Sequence, residues 1–341
     1  MSNASNSPGL PPSVQVLQTA SAYVLSACLG VAARLCIADL LAAGSRTAAD
    51  LAAATGASGD ALYRALRALT CAAIFTENED GTFCNSELSE TLRSDHPQSV
   101  RAMTAFLCDE MHWKCYAETL YSVQTGKPSF DHVYGMPPFQ YMAQNPELAK
   151  SFDDAMASNS SRDADAVAAA FECAPGDVVA DIGGGNGRFL SSLLRAHPGV
   201  QAVLFDLPYA IAHARTAGLV PQDRCRMVEG DFFQAVCPDA TIYTMKHIIH
   251  DWSDPQAITI LRNCANVMRP GSKLRIVELM MPPRNVPGFA KVLDIEMLLL
   301  AGGRERTTEE YGALMRAAGL RMTRVIPTHS PLAIFEGERE S

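Results

Sequence analysis

The sequence has too little positive charge for a protein whose main partner is a nucleic acid. Its 341 residues include 28 lysines and arginines against 37 aspartates and glutamates, which gives a formal net charge of −9. Binding to a phosphate backbone is driven largely by lysine and arginine side chains, so DNA and RNA repel an acidic chain. The composition therefore predicts no nucleic-acid partner.

The sequence also lacks the patterns of metal-binding, secreted and membrane proteins. Its ten cysteines form no C-x-x-C pair and no Cys/His spacing that suits zinc, and the N-terminus lacks the basic and apolar regions of a signal peptide. Arg34 and Asp39 interrupt the longest apolar stretch, residues 23–43, which therefore falls short of a membrane span. We predict a cytoplasmic protein with reduced thiols, no metal, no membrane contact and a disordered tail over residues 1–12.

The glycines at residues 183–187 do not form the pattern of dinucleotide-binding enzymes. They follow the apolar run VVADI and precede the helix-prone FLSSLLRAH, as at the start of a nucleotide-binding α/β domain. The G-x-G-x-x-G pattern of dinucleotide enzymes fails, because its third glycine would fall on Arg188. The shorter G-x-G-x-G after Asp181 resembles the motif of class I methyltransferases that use S-adenosylmethionine (SAM). The alternative is a glycine-rich turn without a ligand.

Length and residue pattern predict two domains. Apolar residues recur mainly at helical spacing in the first half, where residues 47–56 and 58–70 predict two short helices. Residues 74–83 place a D-G turn between β-prone ends, so the unit resembles a winged helix. We predict a mostly helical, winged-helix-like domain over residues 13–165 and an α/β domain over residues 166–341.

A winged helix raises the alternative of a DNA-binding regulator. The candidate recognition helix carries only Arg64 and Arg67 as cations, against Asp60, which is a poor surface for a phosphate backbone. The other interpretation is a packing or dimerisation scaffold, which the apolar helix at residues 14–43 favours.

Apolar runs alternate with helical segments in the second half, which predicts a largely parallel sheet with crossover helices. The last two runs are close enough in sequence to pair as a hairpin. Ligands of open α/β sheets bind at the carboxyl ends of the strands. The seven predicted strands are DVVADI, AVLFDL, CRMVEG, TIYTMK, KLRIVEL, RMTRVIP and LAIFEGE.

Two of these strand ends carry acids that suit an adenosine. Asp206 ends the second strand, where a carboxylate can accept hydrogen bonds from both ribose hydroxyls. Asp231 follows the third strand and can accept from an adenine amino group, while the ring of Phe232 can cover the base. Each acid taken alone is also a common turn or N-cap residue.

The fourth strand ends in MKHIIHDWSD, which contains the candidate general base. Asp254 before Pro255 predicts an N-cap and a new helix, so His250 lies on a loop at the ligand face. A histidine facing a cofactor site is a general-base candidate, although a lone histidine is more often structural. His247 is the competing candidate.

Two further acids are expected near this loop. Glu278 ends the fifth strand, and Glu305 precedes a capping-box pattern that begins at Thr307. A carboxylate beside an imidazole N–H fixes the tautomer and stabilises the imidazolium. The alternative for Glu305 is a surface ion pair with Arg304 or Arg306.

Residues 97–165 are rich in rings and sulfur, which suits a pocket for a flat aromatic molecule. Most of these side chains are ordinary core candidates. As candidate wall residues for substrate binding we single out Trp113, Met136 and Met156.

Taken together, these motifs resemble the plant-type caffeic acid O-methyltransferases and their bacterial small-molecule relatives. The matching segments, in chain order, are YGM, FDDAM, DIGGGNG, FDLP, GDFF, KHIIHDWSD, VE and GRERT. The resemblance implies a class I methyltransferase Rossmann-like domain with a seven-stranded, mostly parallel sheet whose final strand inserts antiparallel. It also implies an N-terminal domain that forms a homodimer, exchanges helices with its twin and helps to close the partner's active site.

The resemblance assigns roles to residues as well. It implies SAM-dependent O-methylation of a small aromatic natural product without a metal, with His250 as base, Glu278 and Glu305 flanking it, and Asp251 near the substrate. N- or C-methylation on the same fold is the closest alternative. The implied cofactor-binding residues are Gly183 and Gly185 for the methionine end, Asp206 for ribose, Asp231 and Phe232 for adenine, and Lys246 beside the adenine ring.

Overall fold

The computed structural model describes residues 10–340, apart from the side chains of residue 157 and residues 159–162. The chain divides into two compact units. The first contains the residues up to 114 together with 142–159, and the second contains residues 115–141 and those from 160 onward. Of the predicted disordered tail, residues 1–9 lie outside the described residues. The domain boundary at residues 165 and 166 stays a prediction.

The first unit combines helices with a small antiparallel sheet. The strand order is β1-β3-β2, and the turn at Asp80 and Gly81 joins β2 to β3, as the sequence predicted. The elements are α1 (Pro12–Ser21), α2 (Tyr23–Arg34), α3 (Ile37–Leu40), β1 (Arg46–Thr47), α4 (Ala48–Thr55), α5 (Gly59–Thr70), β2 (Phe75–Glu77), β3 (Thr82–Asn85), α6 (Glu87–Glu90) and α7 (Arg101–Leu107).

Local sequence signals account for the two short helices of this unit. At the start of α4, Thr47 and Asp50 form a reciprocal capping box, which satisfies two otherwise unpaired backbone N–H groups. Gly56 ends the helix with a φ of 72°, in the left-handed region that favours glycine. The buried side chains of Leu51 and Leu66 then pack into one apolar core with Phe83 of the wing. The predicted winged-helix-like arrangement is therefore present.

The N-terminal helices expose an apolar surface. By length and composition alone, Pro12–Arg34 meets the criterion for one membrane-spanning helix among the described residues, although Ala22 separates α1 from α2. This candidate overlaps the predicted apolar stretch at residues 23–34 and extends it toward the N-terminus. A helix that packs against another protein chain satisfies the same criterion, so the feature alone assigns no membrane.

Five helices precede the first strand of the large sheet in sequence, and this sheet belongs to the second unit. These are α8 (Glu110–Ala117), α9 (Thr119–Thr125), α10 (Ser129–Tyr134), α11 (Pro138–Gln144) and α12 (Pro146–Ala170). The remaining elements are β4 (Val178–Ile182), α13 (Arg188–Ala196), β5 (Gln201–Asp206), α14 (Pro208–Ala217), β6 (Cys225–Glu229), β7 (Ile242–Lys246), a 3-10 turn (Ile249–Asp251), α15 (Asp254–Val267), β8 (Lys273–Leu279), α16 (Phe289–Leu300), α17 (Thr308–Ala317), β9 (Leu320–Pro327) and β10 (Leu332–Arg339).

The large sheet has the predicted seven strands in the order β6-β5-β4-β7-β8-β10-β9. Strands β4 to β8 pair in parallel, whereas β10 inserts antiparallel between β8 and β9 and forms a hairpin with β9. Two clusters of buried apolar side chains pack against the sheet and its helices. The predicted Rossmann-like fold and its hairpin are thus confirmed. The topology brings the carboxyl ends of β4 to β8 to one edge of the sheet.

One helix start was predicted wrongly. The N-cap of α15 is Ser253, and Asp254 is the first helical residue. The side chain of Gln256 accepts hydrogen bonds from the backbone N and the hydroxyl of Ser253. The carboxylate of Asp254 instead accepts hydrogen bonds from Arg306, a long-range contact that a local sequence pattern does not reveal.

Candidate active site

The glycine loop lies between β4 and α13, as predicted. Gly183 and Gly185 have φ values of 75° and 57°, a region in which a side chain is strained. A Cβ atom at Gly183 would also stand 2.6 Å from Cδ1 of Ile248. The glycines therefore let the backbone turn sharply and pack against Ile248, and open space remains beside Gly185, where a Cβ atom would meet nothing within 4 Å.

Asp206 lies at the end of β5 and is tied to the glycine loop. One carboxylate oxygen accepts a hydrogen bond from Gly185 N at 2.8 Å, and the other accepts from Leu207 N at 2.7 Å. Burial raises the pKa of this carboxyl, although the two backbone N–H groups oppose the shift. A carboxylate oxygen can accept more than one hydrogen bond, so Asp206 retains capacity for ribose hydroxyls.

Phe232 is brought to the glycine loop by the turn after β6. Asp231 shapes this turn, because its Oδ1 accepts a hydrogen bond from Phe233 N at 2.9 Å. Cε1 of Phe232 lies 3.5 Å from the position that a Cβ of Gly183 would occupy. Its ring also meets that of Trp252 edge to face, with centroids 5.9 Å apart. Phe232 thus lies against the glycine loop.

Lys246 ends β7 and acts electrostatically on the buried acid of the glycine motif. Asp181 is only 2% exposed, and its Oδ1 has no hydrogen-bond partner. Burial raises the pKa of Asp181 to about 7, against the lowering effect of the Lys246 charge. The cofactor motif therefore contains a carboxyl that is poorly compensated before a ligand binds.

The segment of residues 247–254, here called the histidine loop, follows β7. It begins with His247 in the left-handed region, with a φ of 55°, and continues into the 3-10 turn that carries His250. One oxygen of Glu278, Oε1, accepts hydrogen bonds from three successive backbone N–H groups, those of residues 248, 249 and 250, at 3.0, 3.0 and 3.3 Å. The carboxylate at the end of β8 therefore fixes the start of the loop.

His250 is buried among three carboxylates. Its Nδ1 lies 2.7 Å from Glu305 Oε1 and 3.7 Å from Glu278 Oε2, and its Nε2 lies 3.5 Å from Asp251 Oδ1. Burial alone lowers the pKa of the imidazole, but the negative charges of Glu278, Asp251 and Glu305 outweigh it and raise the pKa to about 10. The cluster therefore strongly stabilises the imidazolium.

The competing histidine has the opposite electrostatic behaviour. Burial, the charge of Lys246 and the charge of His250 lower the pKa of His247 to about 4, against the raising effect of Glu278. Its Nδ1 lies 3.5 Å from Glu278 Oε2, and its ring centroid lies 5.3 Å from that of His250. His247 is therefore the weaker base of the two.

The carboxylates around His250 differ in their own pKa values. Burial raises the pKa of Glu305 and raises that of Asp251 to about 6, in each case against the lowering effect of His250. At Glu278, burial also acts upward, but His250 and the hydrogen bonds from the loop lower the pKa overall. The alternative of a surface ion pair for Glu305 is wrong, because this residue is 2% exposed and bonds His250.

The same cluster has the composition of a possible metal site. Ligand atoms of His247, His250 and Glu278 lie within 4.8 Å of one another. Neutral imidazoles and a carboxylate are ligands that zinc and other divalent metals accept. This arrangement keeps a metal-dependent reaction open as an alternative to direct proton transfer.

The predicted substrate-wall residues are placed in different parts of the chain. Trp113 and Met156 belong to the first unit, where the indole N–H of Trp113 donates to Cys108 O at 3.0 Å. Met136 belongs to the second unit, between α10 and α11, and is half-buried. Asp251 lies beside His250, as described above. The assignment of all four to the acceptor pocket stays a prediction.

Sequence reasoning missed two residues at the histidine loop. Gly303 makes a close backbone contact with it, and Arg306, which is 1% exposed, donates hydrogen bonds to it. The only available signal was the position of both residues in the GRERT motif around Glu305. On sequence alone, Arg306 is only one of two possible partners of Glu305 in a surface ion pair.

A glycine loop, an acid at the next strand end and a buried histidine at the same sheet edge are features of a class I methyltransferase. Comparison with known proteins narrows the class. Residues 116–321 match the profile of the O-methyltransferase domain, and residues 17–95 match that of the O-methyltransferase dimerisation domain. The chain belongs to the SAM-dependent O-methyltransferase family.

Individual relatives are similar over nearly their whole length. The phenazine O-methyltransferase PhzM of Lysobacter antibioticus is 40% identical over 96% of this chain and 96% of its own. The crystal structure of LaPhzM matches with a TM-score of 0.90 at 39% identity and covers 97% of this chain and 100% of its own. An 8-amino-8-demethylriboflavin N,N-dimethyltransferase of Streptomyces davaonensis is 34% identical over 89% of each chain.

Proposed function

We propose that the enzyme transfers a methyl group from SAM to a hydroxyl of a small aromatic substrate, with His250 as the general base. The observation that carries this proposal is the 2.7 Å contact of His250 Nδ1 with the buried carboxylate of Glu305. A carboxylate that accepts the Nδ1 proton fixes the tautomer, so that Nε2 is the atom that takes the proton of the substrate. Glu278 and Asp251 add negative charge that stabilises the resulting imidazolium.

The need for a base follows from the acceptor. A phenol has a pKa of about 10, so little phenolate is present at neutral pH. A positioned base typically accelerates such a step by about 10² to 10⁴-fold. Bound SAM supplies an electrophilic methyl group on a positively charged sulfur. The remaining contribution of the protein is to orient the reactants, which in well-oriented reactions amounts to roughly 7–11 kcal/mol.

The high pKa of His250 has a consequence for this mechanism. The charges of Glu278, Asp251 and Glu305 raise the pKa of His250 and thereby favour its protonated form. A positive charge in the same pocket lowers the pKa of a histidine. We therefore expect the neutral, basic form of His250 to be favoured in the cofactor complex.

The cofactor is assigned to the edge of the sheet at the glycine loop. The open space beside Gly185 and the capacity of Asp206 for further hydrogen bonds support a nucleoside there. The proposed contacts are Gly183 and Gly185 with the methionine end, Asp206 with ribose, Asp231 and Phe232 with adenine, and Lys246 beside the adenine ring.

Calorimetry tests the ribose assignment. We expect SAM binding to be lost in Asp206→Ala, because the ribose hydroxyls lose their acceptor. Asp223→Ala, which removes an exposed carboxylate before β6, serves as the control and is expected to bind SAM normally. Equal affinities of the wild type and Asp206→Ala would contradict the assignment.

The acceptor is expected to be a flat aromatic molecule that contacts Trp113, Met136, Met156 and Asp251. The phenazine substrate class of the bacterial relative supports an aromatic acceptor. Incubation with labelled SAM and a panel of hydroxylated aromatics tests this proposal, with the new methyl located by mass spectrometry and NMR. Methylation confined to aliphatic hydroxyls would contradict it.

N-methylation is the second candidate, supported by the relative that dimethylates an amine. A neutral aromatic amine already has a free lone pair and needs no base before attack. We expect the wild type to prefer hydroxy over matched amino analogues, and His250→Ala to lose most activity on the hydroxy compounds. Preferred turnover of the amino analogues, little affected by His250→Ala, would favour N-methylation.

We further propose a cytoplasmic homodimer formed through the N-terminal domain, which we place at residues 13–165. All ten cysteines are free thiols, in agreement with a reducing compartment. Exposed apolar side chains of α1 and α2, including those of Leu17, Val24 and Val31, offer a surface for a second copy.

Light scattering tests the dimer. We expect Leu17→Asp with Val24→Asp to yield monomers, whereas Val286→Asp, which changes an exposed apolar site outside residues 13–165, retains the dimer. A monomeric wild type that co-sediments with lipid vesicles would contradict the proposal and favour a membrane role for the apolar helices.

A further inference from the structure

Residues 303–306, here called the clamp segment, lie directly against the histidine loop. A Cβ atom at Gly303 would stand 2.0 Å from the carbonyl oxygen of His250, so only glycine permits this approach without a shift of the backbone. The next residue, Arg304, donates its backbone N–H to the same carbonyl oxygen at 2.8 Å. The clamp segment thus contacts the backbone of the catalytic histidine itself.

The guanidinium group of Arg306 binds the histidine loop on both sides of His250. Its Nη1 donates to Ile249 O at 3.0 Å, before His250, and its Nη2 donates to Trp252 O at 2.8 Å, after it. Nε and Nη2 also donate to Oδ1 of Asp254 at 3.1 and 2.8 Å, where α15 begins. One side chain therefore fixes three points along the loop.

This arrangement depends on arginine chemistry. Arginine offers five N–H donors in a rigid plane, whereas lysine offers a single compact ammonium group that cannot reach three separated acceptors. Arg306 is 1% exposed, and a buried cation is costly unless its hydrogen bonds are made.

The clamp segment also fixes the carboxylate that bonds His250. Glu305 donates its backbone N–H to Asp294 Oδ1 of α16 at 2.8 Å, and its side chain reaches His250 Nδ1. Glu305 lies between Arg304 and Arg306 in sequence, so the backbone of the histidine and the carboxylate that orients its ring are held by consecutive residues.

From these contacts we infer that Arg306 is a positioning residue for His250, which acts by holding the histidine loop against the clamp segment. This inference rests on the proposed function, in which His250 is the base. It assigns to Arg306 an effect on the rate of methyl transfer and none on the binding of SAM.

The first test is Arg306→Lys, which keeps the charge but removes the planar set of donors. We expect kcat to fall by about 10 to 10²-fold, as for a catalytic group displaced by about 1 Å, with the dissociation constant of SAM unchanged. The matched control is Arg275→Lys, which changes another buried arginine of the same unit outside the site and is expected to retain kcat. A wild-type kcat in Arg306→Lys would overturn the inference.

A double-mutant cycle with His250→Ala separates positioning from a general structural role. If Arg306 acts through His250, then Arg306→Lys lowers kcat in the wild-type background but has no further effect in the His250→Ala background. Equal factors in both backgrounds would overturn the inference and leave His250 as the base. Wild-type activity of His250→Ala itself would overturn the base assignment, and the inference with it.

If Arg306→Lys does not fold, Gly303→Ala provides a second test, measured by kcat, SAM binding and amide hydrogen exchange. The added methyl group pushes on the carbonyl of His250, so we expect the same loss of kcat with normal SAM binding. Faster amide exchange is expected in peptides that contain residues 249–254. Wild-type kcat and exchange in Gly303→Ala would overturn the inference.

Discussion

The two halves of strand β8 carry buried charges that are satisfied in different ways. In the amino-terminal half, Arg275 donates to Glu336 Oε2 at 2.9 and 2.7 Å and to Glu172 O at 2.8 Å. Arg324 donates to the other oxygen of Glu336 at 2.8 Å. In the carboxyl-terminal half, Glu278 has one fully used oxygen and a second that has no hydrogen-bond partner.

The difference separates a structural charge from a functional one. Ion pairs with complete hydrogen bonding cost little once folded, whereas a buried polar atom without a partner costs about 1–3 kcal/mol. Among the described residues, Glu278 Oε2, Glu305 Oε2 and both ring nitrogens of His247 form a group of such atoms around His250, whereas others, such as Arg101 Nε on α7 and Ser122 Oγ on α9, are isolated on other elements. We attribute this uncompensated polarity to catalysis, because perturbed groups concentrate where chemistry is done.

The largest expected effect is that of removing the histidine from the carboxyl-terminal half. We predict that His250→Ala lowers kcat at least about 10²-fold, because the variant lacks the base that takes the proton of the substrate. SAM affinity measured by calorimetry is expected to be unchanged. A loss of less than about threefold in kcat would contradict the claim that the buried charges in the carboxyl-terminal half of β8 serve catalysis.

The large sheet could be predicted from the sequence because each of its strands has a local sequence signal. Each parallel strand is a short apolar run, and the glycine cluster requires backbone conformations that few other residues adopt. The expected approach of Glu278 to His250 followed from one rule, that parallel strands end at the same edge, whereas that of Glu305 followed from its loop position before α17 and from the family resemblance. The structure does bring these three side chains together.

The next effect concerns pH. Glu278→Gln removes a negative charge that raises the pKa of His250, so this pKa is expected to fall from about 10 toward its ordinary value of 6.5. The neutral base forms above its pKa, and the rising limb of kcat/KM against pH should therefore move to lower pH. We also expect kcat to fall about tenfold, because the imidazolium loses stabilisation. A rising limb at the same pH in both proteins would contradict this role of Glu278.

The linked effect on stability has a defined sign. A histidine whose pKa is raised on folding contributes stability that is complete below pH 6.5 and is lost as the pH rises toward 10. Because Glu278→Gln weakens this contribution, its stability should vary less with pH over that window. Thermal melts of the two proteins between these pH values measure the difference.

The amino-terminal half should respond in the opposite way. We predict that Arg275→Met lowers stability by about 3 kcal/mol, which corresponds to about 6–12 °C in the thermal midpoint, because Glu336 loses a buried partner. The kcat of the folded enzyme is expected to remain at the wild-type value. A selective loss of kcat at unchanged stability would show that this half also takes part in the reaction.

The smallest effect is expected from metal removal. If His250 takes the proton directly, then dialysis against EDTA should leave kcat unchanged, although His247, His250 and Glu278 lie close enough together to bind an ion. Measurement of kcat and metal content before and after dialysis tests this expectation. Lost activity that returns with a divalent cation would contradict the metal-free mechanism.

The parts of the site that the sequence did not predict depend on long-range contacts. The position of Arg306 depends on its hydrogen bonds to Asp254, which is far away in sequence. The N-cap of α15, in contrast, is a local capping box of Ser253 and Gln256 that the sequence analysis overlooked. The different pKa values of His247 and His250 depend on burial and on which carboxylates face each ring. No local pattern contains that information.

The most direct test of the account is the pH dependence of methyl transfer in single turnover with saturating SAM, for the wild type and for His250→Gln. We predict that the wild-type rate rises with pH through one ionisation, and that His250→Gln is at least about 10²-fold slower at neutral pH and lacks this ionisation. The same ionisation and a comparable rate in the variant would contradict the assignment of His250 as the base.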